Sequence, residues 1–511
     1  MFTRTASLCP SALFRRLLPV LPCTVRPIHA TTYLAAKKFV DAENDFAHQV
    51  IQRGINVPGA VRDFGASETE LLDRLSQVVA ECRNEGVCIS EERFDDFARG
   101  LAEKVPEFGY EELVRVLNLL VEIGPTPAVD TRNYARIWNA VDAACLRRVP
   151  EWDTDRLLFM ADQWYPLRLA KVGRFVGKAV WKISGKMRKL NKDQLVKTVF
   201  YINLTRVPVE NMVDIEINLK KNFYNFGIDD LSVLCMGFFK TMTPVRSVEL
   251  IERIYQLTIH HAGDVQDISL AAILKLLRYS SRIAHAQSME RLLSTFVPQV
   301  PRLSLFCCLH LALLGTDIHL CHQPILEAII DRFSQNIKQL RLKDMERIVF
   351  ALAHFNMDLP SQKDLNLMRA IQSELPTRIH EITTYPKSYL SLLNFLALFN
   401  ETTRTFEDVE ARCPPQYSGA ILSRECLLGE RGANEKGLRL VAIVAGSWNC
   451  YVRDQHRFTG GFAMKLKQLA AVGYETVVIP WHEWPTFAPE SRDGYLFDKL
   501  NPLLNNPKNT V

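Results

Sequence analysis

Nine cations stand between Arg168 and Lys192 with no acidic residue among them: Arg168, Lys171, Arg174, Lys178, Lys182, Lys186, Arg188, Lys189 and Lys192. Ammonium and guanidinium groups at this density hold phosphates well, because each contact releases a condensed counterion. The 511-residue chain carries 62 basic and 57 acidic residues, formally +5. Without the six basic residues of the first forty it holds 56 against 57, so outside the run the remainder sits near −10. The run therefore concentrates positive potential on an acidic background. Spacings of three and four put Arg168, Lys171, Arg174, Lys178, Lys182, Lys186 and Lys189 along one side of a helix, with Phe175, Val176, Ala179, Val180 and Ile183 on other sides. Gly173, Gly177 and Gly185 would each weaken a free helix by about 1 kcal/mol relative to alanine, so packing or a ligand must steady the segment. A solvated face and a membrane-surface helix are the other uses of such a run.

A second group lies near the C-terminus. Trp448, Trp481 and Trp484 carry faces that stack on unpaired bases or fill a core, and core is the commoner role. One of Trp481 and Trp484 is assigned to the core, and the other is left to face a base. Arg453, His456, Arg457, Lys465 and Lys467 supply candidate phosphate contacts or ordinary solvated charge. Glu483 is the carboxylate of this group, and its plainer role is to accept a hydrogen bond from an indole or a lysine.

The elements that must position this group form a compact pattern. Leu438 to Ala445, bounded by Gly446, reads as a buried strand, Phe462 to Ala471 as a helix, and Thr476 to Pro480 as a second buried strand, a small βαβ-like unit. Ala442-Ile443 before Gly446, Thr459-Gly460 followed by Lys465, Leu469 to Gly473-Tyr474, the closing Ile479-Pro480-Trp481 with Glu483-Trp484, and a helix bearing Tyr495-Leu496 resemble the RAP domain, an RNA-associated module. The resemblance covers residues 438–500 and implies a small α/β fold like that of restriction-type endonucleases. Hydrolysis on that fold needs carboxylates that converge on a divalent cation. The family often places acids on the first strand, where this chain has Ile443 and Ala445. Glu483 and Lys465 alone cannot assemble a cation site, so binding is expected rather than cleavage, with no catalytic residue, metal or cofactor assigned.

Between 105 and 400 one pattern recurs. Helix openings fall at Glu111, Asp155, Asp193, Asp229, Asp267, Arg302, Asp344 and Ser388, at steps of roughly 35 to 44 residues. Each leads into an amphipathic helix such as the one carrying Leu195, Val196, Val199 and Phe200, and second helices follow, for instance Ser247 to Thr258 and Pro324 to Ile337. Helix pairs this short cannot bury their apolar faces alone, so they stack into an α-solenoid, with the acidic or small residue at each opening serving as N-cap. The expected fold is mostly α, an α-solenoid of helical-hairpin repeats followed by a small α/β C-terminal domain. Helical repeats ending in a RAP domain resemble octotricopeptide-repeat proteins of organelles and FAST-kinase-domain proteins of mitochondria. Residues 401–437, with Cys413-Pro-Pro, Gly419, Gly429 and Gly432, read as a linker, and residues 41–104 as an N-terminal helical and loop region.

The first forty residues hold Arg4, Arg15, Arg16, Arg26, Lys37 and Lys38 and no acid before Asp41, the asymmetry of a mitochondrial targeting peptide over about 1–30. Apolar residues from Leu17 to Cys23 are broken by Pro19 and Pro22, which disfavours a secretory signal. The longest uncharged apolar stretch, Leu303 to Thr316, is shorter than the roughly twenty residues a spanning helix needs, so no transmembrane segment is expected. Twelve cysteines show no CxxC pair or Cys/His spacing of a zinc site, and there is no P-loop, dinucleotide fingerprint, HExxH or GxSxG. The expectation is a mitochondrial matrix RNA-binding protein acting in RNA processing or stability, rRNA maturation or mitoribosome assembly. Its partners would be mitochondrial mRNA or rRNA, with mitoribosomal or RNA-processing proteins. A metal-dependent RNA endonuclease and a protein-binding scaffold are the alternatives.

Overall fold

The computed structural model describes residues 30–53, 70–123, 127–206, 208–280, 283–355, 360–399, 440–451, 458–471, 474–485 and 488–504. The targeting peptide and the 401–437 linker lie outside these residues, save Ala30. The chain divides into two compact units, Met1–Glu43 and Asn44–Val511. Of the first, the described part is the start of helix α1 (Ala30–Arg53). All other elements belong to the second.

The repeats form two layers of helices. The first layer holds α2 (Glu70–Glu85), α4 (Tyr110–Glu122), α6 (Thr154–Trp164), α8 (Lys192–Thr205), α10 (Ile228–Lys240), α12 (Asp267–Tyr279), α14 (Leu305–Leu313), α16 (Leu342–Phe355) and α19 (Pro386–Leu398), each packed on the next. Interleaved in sequence, the second layer holds α3 (Asp95–Lys104), α5 (Arg132–Arg148), α7 (Arg174–Ser184), α9 (Met212–Asn222), α11 (Val248–His260), α13 (Ala286–Phe296), α15 (Gln323–Gln335) and α17 (Gln362–Glu374). A short helix, α18 (Ile379–Thr384), precedes α19. All eight expected openings mark starts of first-layer helices, from α4 to α19. First-layer helices are sandwiched between neighbours on both sides and the second layer, so α8 buries every residue from Leu195 to Leu204. An amphipathic pattern alone does not demand that degree of burial.

The caps sit one to three residues earlier or later than the openings suggest. Asp153 accepts the amide proton of Arg156 at 2.8 Å, Asn191 that of Gln194 at 2.9 Å, and Ser304 that of Cys307 at 3.3 Å. At α4 and α10 the N-cap is a glycine, and Glu112 and Asp230 reach back to the amides of Gly109 and Gly227. The acids at the openings fall in the first turn, where they favour the positive end of the helix dipole.

Neighbouring repeats are tied by two recurrent polar devices. Carboxylates hold the entry to a helix of the following repeat: Asp142 bonds the amides of Arg174 and Phe175 in the first turn of α7, and Glu216 those of Arg246 and Ser247 just before α11. Donors from one repeat cover the carbonyls that end the preceding one. Arg148 bonds the carbonyls of Pro106 and Phe108, Lys182 those of Val149, Pro150 and Trp152, Asn218 those of Met187 and Leu190, and Arg302 those of Val265 and Ala262. Helix ends buried between layers leave orphan donors and acceptors, and these pairs satisfy them.

After the repeats come β1 (Leu440–Gly446), α20 (Gly460–Ala471), β2 (Tyr474–Pro480) and α21 (Arg492–Leu504). The strands are parallel, Leu440 opposite Tyr474 through Gly446 opposite Pro480. Parallel strands need a crossover, and α20 supplies it. α20 also packs on α16 and α19, which joins this α/β part to the last repeats. The strands are less covered than expected, with Ile443 54% exposed.

Candidate nucleic-acid interface

The basic run does not form one helix. Gly173 is the N-cap of α7 and Gly185 its C-cap, so only Gly177 lies within a helix. Arg168 and Lys171 lie in the turn before α7, Lys186 follows it, Arg188 and Lys189 lie in a single 3₁₀ turn, and Lys192 opens α8. Gly173 has a steric reason: a Cβ there would stand 2.9 Å from Asp142 Oδ1 and 3.2 Å from the Trp164 ring. The capping carboxylate arrives from the neighbouring repeat into space that a side chain would fill.

The nine cations separate into two groups. Lys182 gives its ammonium to three carbonyls at 2.7 to 2.9 Å and is part of the inter-repeat frame. Arg188 pairs with Asp214 at 2.8 Å, Lys192 with Asp230 at 2.7 Å, and Arg174 with Asp142 at the longer 3.8 Å. Arg168, Lys171, Lys178, Lys186 and Lys189 are exposed and hold no ion pair among the described residues. Beside them Trp181 is 60% exposed, with Lys178 Nζ 4.1 Å from its ring centroid. An indole in solvent next to unpaired cations offers stacking and phosphate contact together. Trp181 is absent from the residues that sequence alone singles out, yet a signal existed: three residues after Lys178 and seven after Arg174, it falls on the cationic side of α7, away from Phe175, Val176 and Ile183.

Arg168 has φ +59°, a left-handed conformation uncommon for a residue with a Cβ. Its amide bonds the carbonyl of Tyr165 at 2.9 Å, closing the turn that follows α6.

In the α/β part, Arg453, His456 and Arg457 lie outside the described residues. Lys465 is exposed and Lys467 half-buried on α20. Trp448 departs from the core role, being 71% exposed, and of the pair Trp481 and Trp484 it is Trp481 that faces solvent, 54% exposed; both exposed rings stand in turns at the ends of the strands. Trp484 is half-buried, packed edge-on against Tyr495 at 5.9 Å under the Arg492 guanidinium. Glu483 accepts from Lys499 at 2.6 Å and from the Tyr495 hydroxyl at 3.1 Å, and the Lys499 bond holds its carboxyl below the usual carboxylate range. Among the described residues no three His, Cys, Asp or Glu side chains converge as a metal site would require. No helix among them is long and apolar enough to cross a membrane.

On the second layer an apolar stripe faces solvent: Val213 and Ile217 on α9, Tyr224 just after it and Val248 on α11 are all exposed.

These features define a two-layer helical-repeat protein with a small parallel α/β part at its end. No family model matches the chain. It is similar to FAST kinase domain-containing protein 5, mitochondrial, of Mus musculus, with 22% identity over 330 residues, 64% of this chain and 42% of the relative. The same protein of Homo sapiens is 23% identical over 296 residues, 58% of this chain and 37% of the relative. That of Pongo abelii is 22% identical over 295 residues, with the same two shares. The relationship is distant, and the match spans about two fifths of the length of these relatives.

Proposed function

We propose that this chain is a mitochondrial matrix RNA-binding protein that acts in RNA processing or stability, rRNA maturation or mitoribosome assembly without chemistry of its own. The observation that carries the reading is the group Arg168, Lys171, Lys178, Lys186 and Lys189, exposed and unpaired among the described residues beside the exposed Trp181. Five such cations would release counterions on contact with single-stranded RNA, and Trp181 would take the face of one base. Residues 438–500 act as a RAP domain that grips RNA, with Trp481 and Lys465 as exposed contacts. The mitochondrial address rests on the cationic, acid-free first forty residues and on the relatives named as mitochondrial. Engagement of Glu483 by Lys499 and Tyr495 supports grip over cleavage.

The exposed stripe of Val213, Ile217, Tyr224 and Val248 favours a second reading, a scaffold for mitoribosomal or RNA-processing proteins, and the two roles are compatible.

Gel-shift titration with mitochondrial RNA and Mg²⁺ tests the reading. A shifted, intact band is expected, with affinity falling about a hundredfold between 50 and 200 mM salt for five phosphate contacts. Cleavage abolished by Glu483→Gln would establish the endonuclease instead. Binding that is absent or indifferent to salt would leave the scaffold.

A further inference from the structure

Sheets of parallel strands bind their ligands beyond the carboxyl ends of the strands, where the turns that leave neighbouring strands lie side by side. β1 and β2 end together, Gly446 opposite Pro480, and the Trp481 amide bonds the Gly446 carbonyl at 2.8 Å. Two residues past that carbonyl Trp448 opens a 3₁₀ turn, Trp448–Cys450. Both indoles thus leave the same end of the sheet, from strands roughly 4.8 Å apart. Tryptophan is highly buried on average, yet these two are 71% and 54% exposed.

Tyr451 follows the Trp448 turn and is only 8% exposed. Its ring lies 5.2 Å from that of Phe458 and meets His482 edge-on at 5.3 Å. A Cβ on Gly446 would stand 2.9 Å from the Tyr451 hydroxyl, so glycine at 446 makes room for the phenol at the end of β1. That hydroxyl has no hydrogen-bond partner among the described residues. Buried polar groups are nearly always bonded, so it marks a point where a donor or acceptor from outside the chain fits.

Charge at this end of the sheet is already matched. Glu483 accepts from Lys499 at 2.6 Å and from the Tyr495 hydroxyl at 3.1 Å, with His482 4.0 Å away. Residues 447–451 and 481–485 hold no lysine or arginine. The two turns therefore offer aromatic faces and one hydroxyl rather than a charge, which suits the flat, neutral face of a base and not a phosphate.

We propose that the carboxyl ends of β1 and β2 form a site for an unpaired nucleobase, with Trp448 and Trp481 as its stacking faces and the Tyr451 hydroxyl as its polar contact. The site rests on the RNA-binding reading and divides the labour within it: the α7 cations hold phosphates, and the strand ends hold a base.

Fluorescence anisotropy with the full chain tests this, using labelled decauridylate and an equally labelled decamer of abasic ribose phosphates, between 50 and 200 mM salt. Trp448→Ala and Trp481→Ala should each weaken decauridylate about tenfold, leave its salt slope unchanged and leave the abasic decamer unaffected. Tyr451→Phe keeps the ring and loses the hydroxyl. It should weaken decauridylate about threefold with an unfolding midpoint equal to or above that of wild type, since an unpaired buried hydroxyl contributes nothing to the fold. Lys178→Glu with Lys186→Glu should instead weaken both decamers and flatten the salt slope. If either alanine variant unfolds early, the other and Tyr451→Phe carry the comparison. Equal decauridylate affinity in wild type and the three aromatic variants, or equal losses on both decamers, overturns the site and leaves the RNA reading standing. Wild type that binds neither decamer defeats the RNA reading, and the site with it.

Discussion

The carboxylate of Asp142 accepts the amide proton of Phe175 across 2.9 Å, and this bond between repeats decides where the helix of the basic run begins. The same carboxylate takes the amide of Arg174 at 3.2 Å and is itself buried, so its charge is balanced by the helix N-terminus and by the Arg174 guanidinium. Asp142→Ala should cost about 2 kcal/mol, the usual loss for a cap whose donors are left orphaned in a buried setting. Gly173→Ala should destabilise too, because its Cβ would press on Asp142 Oδ1 and Trp164. Urea unfolding measures both. A Gly173→Ala protein as stable as wild type would mean that the cap can move aside.

Lys182 and Lys178, one helical turn apart, should behave oppositely. Lys182 covers the carbonyls that end α5, so Lys182→Met should lower stability by about 1 to 3 kcal/mol and leave RNA affinity nearly unchanged. Lys178→Met removes only an exposed contact over Trp181, so stability should hold within about 0.5 kcal/mol while RNA binding weakens and its salt slope falls by about 0.7. Trp181→Ala should cost a further 1 to 3 kcal/mol of binding, roughly one stacked base. If Lys182→Met instead abolished RNA binding in a fully folded protein, the separation into frame and contact would be wrong.

The contrast between those two lysines marks the limit of what the sequence discloses. Period and spacing locate every first-layer helix from α4 on, because the repeat imposes the same local demands each time, while the caps themselves fall a few residues away from the openings. The parallel pair β1 and β2 follows from β-branched runs separated by a helix-length segment. Spacing alone makes Lys178 and Lys182 equivalent, however. Only the arrival of the Val149, Pro150 and Trp152 carbonyls from the previous repeat tells them apart. Gly173 reads as a helix weakener until Asp142 is seen capping the helix from another repeat.

Arg168 offers a case where stability and binding should part. Its left-handed backbone costs a residue with a Cβ roughly 1 kcal/mol, and glycine carries no such cost. Arg168→Gly is therefore expected to be neutral or stabilising by up to about 1 kcal/mol in urea, while RNA affinity falls as one phosphate contact is lost. Arg168→Ala should lose the contact without the backbone gain. Destabilisation by the glycine would show that the arginine side chain packs in a way its exposure does not suggest.

The junction between the repeats and the α/β part should respond to acid. Gly460 opens α20 so close to the repeats that a Cβ there would clash with the Thr316 carbonyl oxygen and with His354 Nε2. His354 is buried there, and its pKa falls to about 4, first through burial and then through the neighbouring His319, Lys467 and Arg278, against a raising contribution from the Thr316 backbone. The sign follows from linkage: the unfolded chain takes up the proton first as pH drops, so stability present above pH 6.5 is lost as pH falls toward 4. His48, His310 and His322 are shifted the same way, so the whole chain should weaken across this window. His354→Gln isolates one share of it. Between pH 7.5 and 5.5 the wild type should lose about 1 kcal/mol more in urea than this variant does, since each tenfold difference in proton affinity between the folded and unfolded chain is worth roughly 1.4 kcal/mol. Gly460→Ala should loosen the junction at either pH and let His354 titrate nearer its ordinary value, so the His354 proton signals followed by NMR would move their midpoint upward. A midpoint unchanged by Gly460→Ala would mean that the repeats bury His354 without help from α20.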